Sequence, residues 1–397
     1  MSVGPAAAWR VIRSRNFGPY FAGNAASASG TWFQNLAASI LIFRLTHSAF
    51  LLGVLNFCQF VPVLLLSTWA GSLADRVDRK RLLLVTQLSA TVLSGILATL
   101  AFRGLASEWV VIGFSGALGI VAAFSNPSQQ ALVVALVDHD DVPQAVALNS
   151  MTFNLARAIG PASAAGVIAA FGIPWAFALN SCSYLVLVAG LLMVRPREEE
   201  RAARTSLRDS IALLRADPRL GLALLVVMTA GFGSDPVNTE SPAFAHAFGY
   251  SDTWAGSIIA FFGAGAVAAA VLVAGRVAGS RGRMAVTLAA LGAGVLLFSI
   301  APWLPLGFAF LALAGFGYLA SNTAATTRLQ LSVAPSQRGR IMALWSIAFL
   351  GLRPVASLTD GALAAAFGVR TAGVVLSLPA LAGAALAASG WRRARSL

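Results

Sequence analysis

Charged side chains stand inside long apolar stretches of this chain at Arg157, Asp235, Glu240, Arg353 and Asp360. An ionisable group so placed is costly, and it usually faces protein or water rather than lipid. Asp235 and Glu240 belong to the run Ser234-Asp235-Pro236-Val237-Asn238-Thr239-Glu240-Ser241-Pro242. Pro236 removes an internal backbone donor, which predicts a loosened or broken helix at that point. Carboxylates beside freed carbonyls suit ion coordination, proton transfer or gating. Asp235 is expected to be the main proton-coupling acid, with Asp360 and Glu240 as its rivals. Counting about 1.5 Å per residue from Leu220 puts Asp235 in the outer half of its span and Glu240 near the outer surface, as a solvated carboxylate. Asp360 follows Arg353 by seven residues and shares its helix face, so the two form either a structural pair or a proton relay. Arg157 and Arg353 are read as cations near a substrate path, or as ties between helices of their own half.

Uncharged polar residues gather in four of the apolar stretches: Asn24, Thr31, Gln34, Asn35, Asn56, Gln59, Asn126, Gln129, Gln130, Asn149 and Asn154. Asn238 adds an amide beside Asp235. Such residues either line a cavity or bond helix to helix, the latter worth about 0.6–2 kcal/mol each. Asn24, Gln34, Asn35, Asn126, Gln129, Asn149 and Asn238 are assigned to the substrate path with the two arginines.

The elements that must hold these groups are membrane spans. Of the 397 residues, 58% are hydrophobic and only 11% charged, well below the share of about 25% in soluble domains. A crossing needs about 20 apolar residues. Twelve such spans are expected, at 17–43, 49–71, 82–102, 109–136, 143–171, 174–194, 219–244, 253–275, 284–301, 304–332, 340–367 and 369–390. The formal charge of +13 sits in short loops, which argues for orientation and anionic lipid headgroups rather than nucleic acid. Of the 28 basic residues, 22 fall on the side of the termini and three on the other. Both termini are therefore expected in the cytoplasm. The N-terminus does not read as a cleaved signal peptide. Cys58 and Cys182 lie in apolar stretches, so neither a disulfide nor a metal site is expected. The expected domains are a six-helix lobe over 1–194, a linker over 195–218 and a second six-helix lobe over 219–397. Within the linker, Leu207, Ile211 and Leu214 mark one face of a short surface helix.

The halves repeat. At an offset of 196, Gly119 matches Gly315, Ser125-Asn126 matches Ser321-Asn322, Arg157 matches Arg353, and Ala169-Ala170-Phe171-Gly172 matches Ala365-Ala366-Phe367-Gly368. At an offset of 204, Gly275 matches Gly71 and Arg283 matches Arg79, while Gly279 replaces Asp75. Parallel repeats of this kind describe two lobes flanking a substrate path.

The loop Gly71-Ser72-Leu73-Ala74-Asp75-Arg76-Val77-Asp78-Arg79-Lys80-Arg81 resembles the loop between the second and third helices of major facilitator superfamily transporters. The elements Asn126-Pro127, Gln130-Ala131-Leu132, Ala147-Leu148-Asn149-Ser150, Asn154-Leu155-Ala156-Arg157 and Gly160-Pro161 resemble that superfamily's transmembrane secretion effector branch, which includes siderophore and drug exporters. The Arg157–Pro161 element also resembles the fifth-helix signature of drug–proton antiporters. Gln129 departs from the branch, which commonly carries Arg there. The resemblance implies an all-α, twelve-helix fold and proton-coupled efflux of small organic compounds across a bacterial cytoplasmic membrane, by a monomer. It implies gating roles for Gly71, Asp75, Arg76, Arg79, Gly160 and Pro161. Import or facilitated diffusion of a small solute is the alternative, with a receptor or assembly role behind it. The sequence has no phosphate-binding Gly-x-x-x-x-Gly-Lys-Ser/Thr loop, and His47, His139 and His246 are scattered. No nucleotide, cofactor, metal or enzymatic activity is expected.

Overall fold

A computed structural model describes residues 5–74, 76–197, 213–215, 217–273, 281–333 and 337–393. Among these residues every regular element is helical and there is no strand. The first half runs as α1 (Pro5–Ile12), α2 (Phe17–Thr46), α3 (Ala49–Ala74), α4 (Arg79–Phe102), α5 (Glu108–Ala135), α6 (Val142–Phe171) and α7 (Ile173–Met193). The second runs as α8 (Pro218–Thr239), α9 (Ser241–Ala247), α10 (Ala255–Val273), α11 (Arg281–Ile300), α12 (Leu304–Leu331), α13 (Arg338–Leu350), α14 (Arg353–Phe367) and α15 (Val369–Arg393). With α8–α9 and α13–α14 each taken as one crossing, and α1 left outside, these are the twelve expected spans. Ten of the described helices are long and apolar enough to cross a membrane by length and composition alone. The two that are not, α2 and α6, have 30 residues each. They are long enough but diluted by amides, Asn24, Gln34 and Asn35 in one and Gln144, Asn149 and Asn154 in the other.

Three boundaries differ from expectation. Helix α8 does not break at Pro236; it runs on to Thr239, and the break falls at Glu240. The lost proline donor is one bond among many. The Glu240 N–H still reaches the Pro236 carbonyl at 3.0 Å, and Pro242 then opens α9, where a missing donor costs nothing. The eleventh span is not continuous, because Gly351 and Leu352 separate α13 from α14. Pro354 cannot donate back into the preceding turn, and it too sits in the first turn of the new helix. Helix α3 passes through Gly71 and ends at Ala74 instead of leaving at the glycine. Asp75, Gly275, Gly279 and most of the expected linker helix lie outside the described residues.

Packing divides the chain into two compact units, Met1–Leu45 with Val61–Ala202, and Thr46–Phe60 with Ala203–Leu397. The core of the first gathers Val11, Phe17, Tyr20, Leu83, Leu132 and Leu187. The core of the second gathers Val226, Phe262, Leu291, Phe298, Leu311 and Ile341. Each unit contains one of a pair of glycine corners. Gly172, between α6 and α7, has φ +93°, and Gly368, between α14 and α15, has φ +87°. Each donates its N–H four residues back at 2.9 Å, to Ile168 and Ala364 respectively.

In the second unit the opening turns of α3 cross α14 at Gly53 and Gly361. A methyl group on Gly53 would lie 2.5 Å from the Ser357 carbonyl oxygen, and one on Gly361 would lie 3.0 Å from the Gly53 Cα. Small residues at such crossings let backbones touch, which is how helices gain contact energy in lipid. Gly53→Ala should therefore lower thermal stability in detergent by about 1–3 kcal/mol, the usual cost of overpacking a rigid site. A variant that melts with the parent protein would show that this crossing is loose.

Candidate functional site

The second unit contains three carboxylates with no exposure to solvent. Asp235 is 1% exposed, and Glu240 and Asp360 are both 0% exposed. Asp235 lies one turn before the end of α8, and Asp360 lies midway along α14. The Thr239 hydroxyl, four residues on, donates to one Asp235 oxygen at 3.0 Å. The Ser357 hydroxyl lies 3.2 Å from the other oxygen and 2.9 Å from the Arg353 carbonyl, so its single hydrogen ties α8 to α14. Arg353, at the start of α14, is the cation acting on Asp235. Its guanidinium also stacks 4.2 Å from the centre of the Phe60 ring, a cation–π contact.

Glu240 and Asp360 differ from Asp235. None of their four carboxylate oxygens has a hydrogen-bond partner. Glu240 feels the charges of both Asp360 and Asp235. Two expectations are corrected here. Glu240 is not a solvated carboxylate near the outer surface: it is fully buried where the chain turns between α8 and α9. Asp360 makes no hydrogen bond to Arg353; the arginine's charge bears on Asp235, on the neighbouring helix α8. Asn238, expected on the substrate path, donates to the Ser234 carbonyl of its own helix at 2.7 Å. The two hydroxyls that hold Asp235 were not singled out from sequence. Their signal was helical spacing: Thr239 follows Asp235 by four residues, as Ser357 follows Arg353.

The first unit has a polar centre built from amides. Asn24 on α2 donates to Asn149 on α6 at 2.8 Å and accepts from Gln129 on α5. Three of the expected path residues thus form one chain across three helices. Gln34 is engaged elsewhere. Its side-chain carbonyl accepts from Asn180 at 2.6 Å and from Ser94 at 2.7 Å, all three being buried. Asn126 lies on an exposed face of α5, and Asn35 is half-buried. Arg157 is 9% exposed, near the middle of α6. A methyl group on Gly160 would lie 2.8 Å from the Trp32 Cβ, so α6 and α2 touch at that residue. Pro161 follows it, buried within the helix.

The described part of the charged loop holds the helix ends of this unit. Asp78 caps α4 by accepting from the Arg81 N–H at 3.0 Å, which satisfies one of the helix's free donors. The Lys80 ammonium donates to the Val194 carbonyl just beyond α7 at 2.7 Å, a favourable place for a cation. Nearby, Asn16 bonds the backbone of Arg195 in both directions at 2.7 Å. Arg76 is exposed and Arg79 half-buried. A side chain at Gly71 would meet nothing within 4 Å, so packing does not demand glycine there.

A family model described as transmembrane secretion effector matches residues 6–392. The staphyloferrin A transporter of Staphylococcus aureus (strain NCTC 8325 / PS 47) is 35% identical over 160 residues, 40% of each chain. This chain therefore aligns with less than half of that relative's length. The enterobactin exporter EntS of Escherichia coli O1:K1 / APEC is 27% identical over 376 residues, 86% of each chain. Among solved structures, a bacterial homolog to the human lysosomal transporter Spinster, inward-facing and occupied, covers 98% of both chains with a TM-score of 0.74 and 14% identity. The human organic anion transporter MFSD10 covers 97% of this chain and 100% of its own, with a TM-score of 0.66 and 17% identity. At such identities these two structures speak for the fold alone.

Proposed function

We propose, from the premise that this chain belongs to the transmembrane secretion effector family of major facilitator transporters, that it exports small organic compounds of siderophore or drug type in exchange for protons. A multi-pass membrane transporter with this family's fold is not an enzyme. The observation that carries proton coupling is the cluster of three fully buried carboxylates in the second unit. Burying one ionised carboxylate is expensive, and three together favour a site where at least one of them carries a proton. The first unit complements this with amides instead of acids. Asn24, Gln129 and Asn149 offer donors and acceptors to a polar ligand, and Arg157 and Arg353 offer cationic charge to an anionic one. The chain works as a monomer in a bacterial cytoplasmic membrane with both termini inside, as lobes 1–194 and 219–397 joined by a linker. The loop residues Asp75, Arg76 and Arg79, with Gly71, Gly160 and Pro161, shift the balance between access states.

Everted membrane vesicles test the whole reading, with iron-free enterobactin as probe. With an acid lumen, the vesicles should accumulate the probe as protons leave, and an uncoupler should abolish accumulation. Uncoupler-insensitive equilibration would make the protein a facilitator. Accumulation only in right-side-out vesicles would make it an importer. Either result overturns the proposal.

A further inference from the structure

We infer that Glu240 and Asp360 are the pair that takes up and releases the transported proton, and that Asp235 is a fixed positioning residue. This rests on the proton-coupled reading above and divides the cluster by its contacts. Asp235 already has what an ionised carboxylate needs: two hydroxyl donors, from Thr239 and Ser357, and the charge of Arg353. Adding a proton to either oxygen would turn away the hydroxyl that donates to it and remove the counter-charge from Arg353. Glu240 and Asp360 have none of this. Their oxygens receive no donor, and the charges bearing on Glu240 are those of the other two acids. A proton is the ligand that such acceptors lack. Ser241, fully buried next to Glu240, also has an unpartnered hydroxyl, so a group able to donate or accept stands beside the pair.

The placement suits the task. Glu240 sits at the junction of α8 and α9, where the backbone turns. Asp360 lies one turn beyond Ser357, whose hydroxyl joins α14 to Asp235 on α8. Asp235 thus holds together the two helices that carry the pair. The step is protonation of one carboxylate oxygen and its reverse, with no other bond made or broken. The remaining charged or titratable residues on the helices packed around the pair are Arg353 on α14, Arg219 on α8, Tyr318 and Arg328 on α12, His246 on α9, and Arg370, Arg392 and Arg393 on α15. Arg281, Arg283, Arg338 and Arg340 stand at helix starts, and Cys58 lies on the segment that crosses at Gly53.

Infrared spectroscopy of the purified full-length protein reads this without a substrate. A protonated carboxylic acid has a C=O stretching band that a carboxylate and an amide lack. That band should be present at neutral pH, lose intensity in Glu240→Gln and in Asp360→Asn, and persist in Asp235→Asn. If an amide variant fails to fold, Glu240→Asp and Asp360→Glu should move the band instead of deleting it. A band lost only in Asp235→Asn, or unmoved by every change at Glu240 and Asp360, would overturn the assignment. In the vesicle assay, Glu240→Gln and Asp360→Asn should abolish probe accumulation. If the infrared bands map to the pair but no pH-driven transport of the probe occurs, the exporter reading fails and the proton pair stands. If transport is proton-driven but the band maps to Asp235, the pair assignment fails alone.

Discussion

Arg353→Ala should destabilise the protein by up to about 3 kcal/mol, the lower end of the range for leaving a buried charge without its counter-charge, and Asp235→Asn in the same chain should restore most of that loss. The lower end applies because Arg353 is only half-buried. Removing the arginine leaves the Asp235 carboxylate held by two hydroxyls but without its counter-charge. It also removes the stack on Phe60, which the second change cannot restore, so the rescue should be incomplete. Thermal unfolding of the four chains in a double-mutant cycle measures the coupling. The same cycle between Arg353 and Asp360 should give a value close to zero, since Asp360 has no hydrogen-bond partner. Strong coupling to Asp360 instead would reverse the arrangement of charges described above.

Gln34→Leu should cost about 1–3 kcal/mol, because it removes the shared acceptor of two buried donors and leaves them only each other at 3.5 Å. The donors are the Asn180 amide and the Ser94 hydroxyl, both 0% exposed. Further replacement of Asn180 by leucine and Ser94 by alanine should recover stability, since an apolar contact can replace a hydrogen-bonded one once no polar atom is left unpaired. Vesicle uptake by Gln34→Leu, corrected for folded protein, should match that of the parent. By contrast, Asn24→Leu breaks the chain to Asn149 and Gln129 and should change uptake. A selective uptake defect in Gln34→Leu, at unchanged stability, would place Gln34 on the substrate path.

The spans were legible in the sequence because a bilayer imposes length and apolarity on every crossing. The stretch expected at 304–332 is the helix Leu304–Leu331, and that expected at 143–171 is Val142–Phe171. What escaped was decided by contacts. Pro236 is the stronger local signal for a break, yet the helix breaks at Glu240, where the chain must turn to start a second helix. The amides were visible as a set, but their pairing was not. Asn24, Gln129 and Asn149 are 105 and 125 residues apart along the chain from the first of them, and only helix packing selects them over Gln34. The partner of Arg353 escaped for the same reason. Helical spacing offered Asp360, while the neighbouring helix supplied Asp235.

The two glycine corners bear on ancestry. Gly172 and Gly368 have φ, ψ of 93°, 167° and 87°, 151°, a region that side chains other than hydrogen almost never enter. They stand one repeat length apart and turn the chain by nearly the same dihedrals. Around them the halves have drifted: the acids lie in one, the amide chain in the other, and the eleventh span is interrupted where the fifth is whole. A corner that admits a single residue type cannot drift by small steps, since each intermediate would be strained. These two positions therefore serve as a fiducial mark for superposing the halves, a fixed point from which insertions and slips on either side can be located.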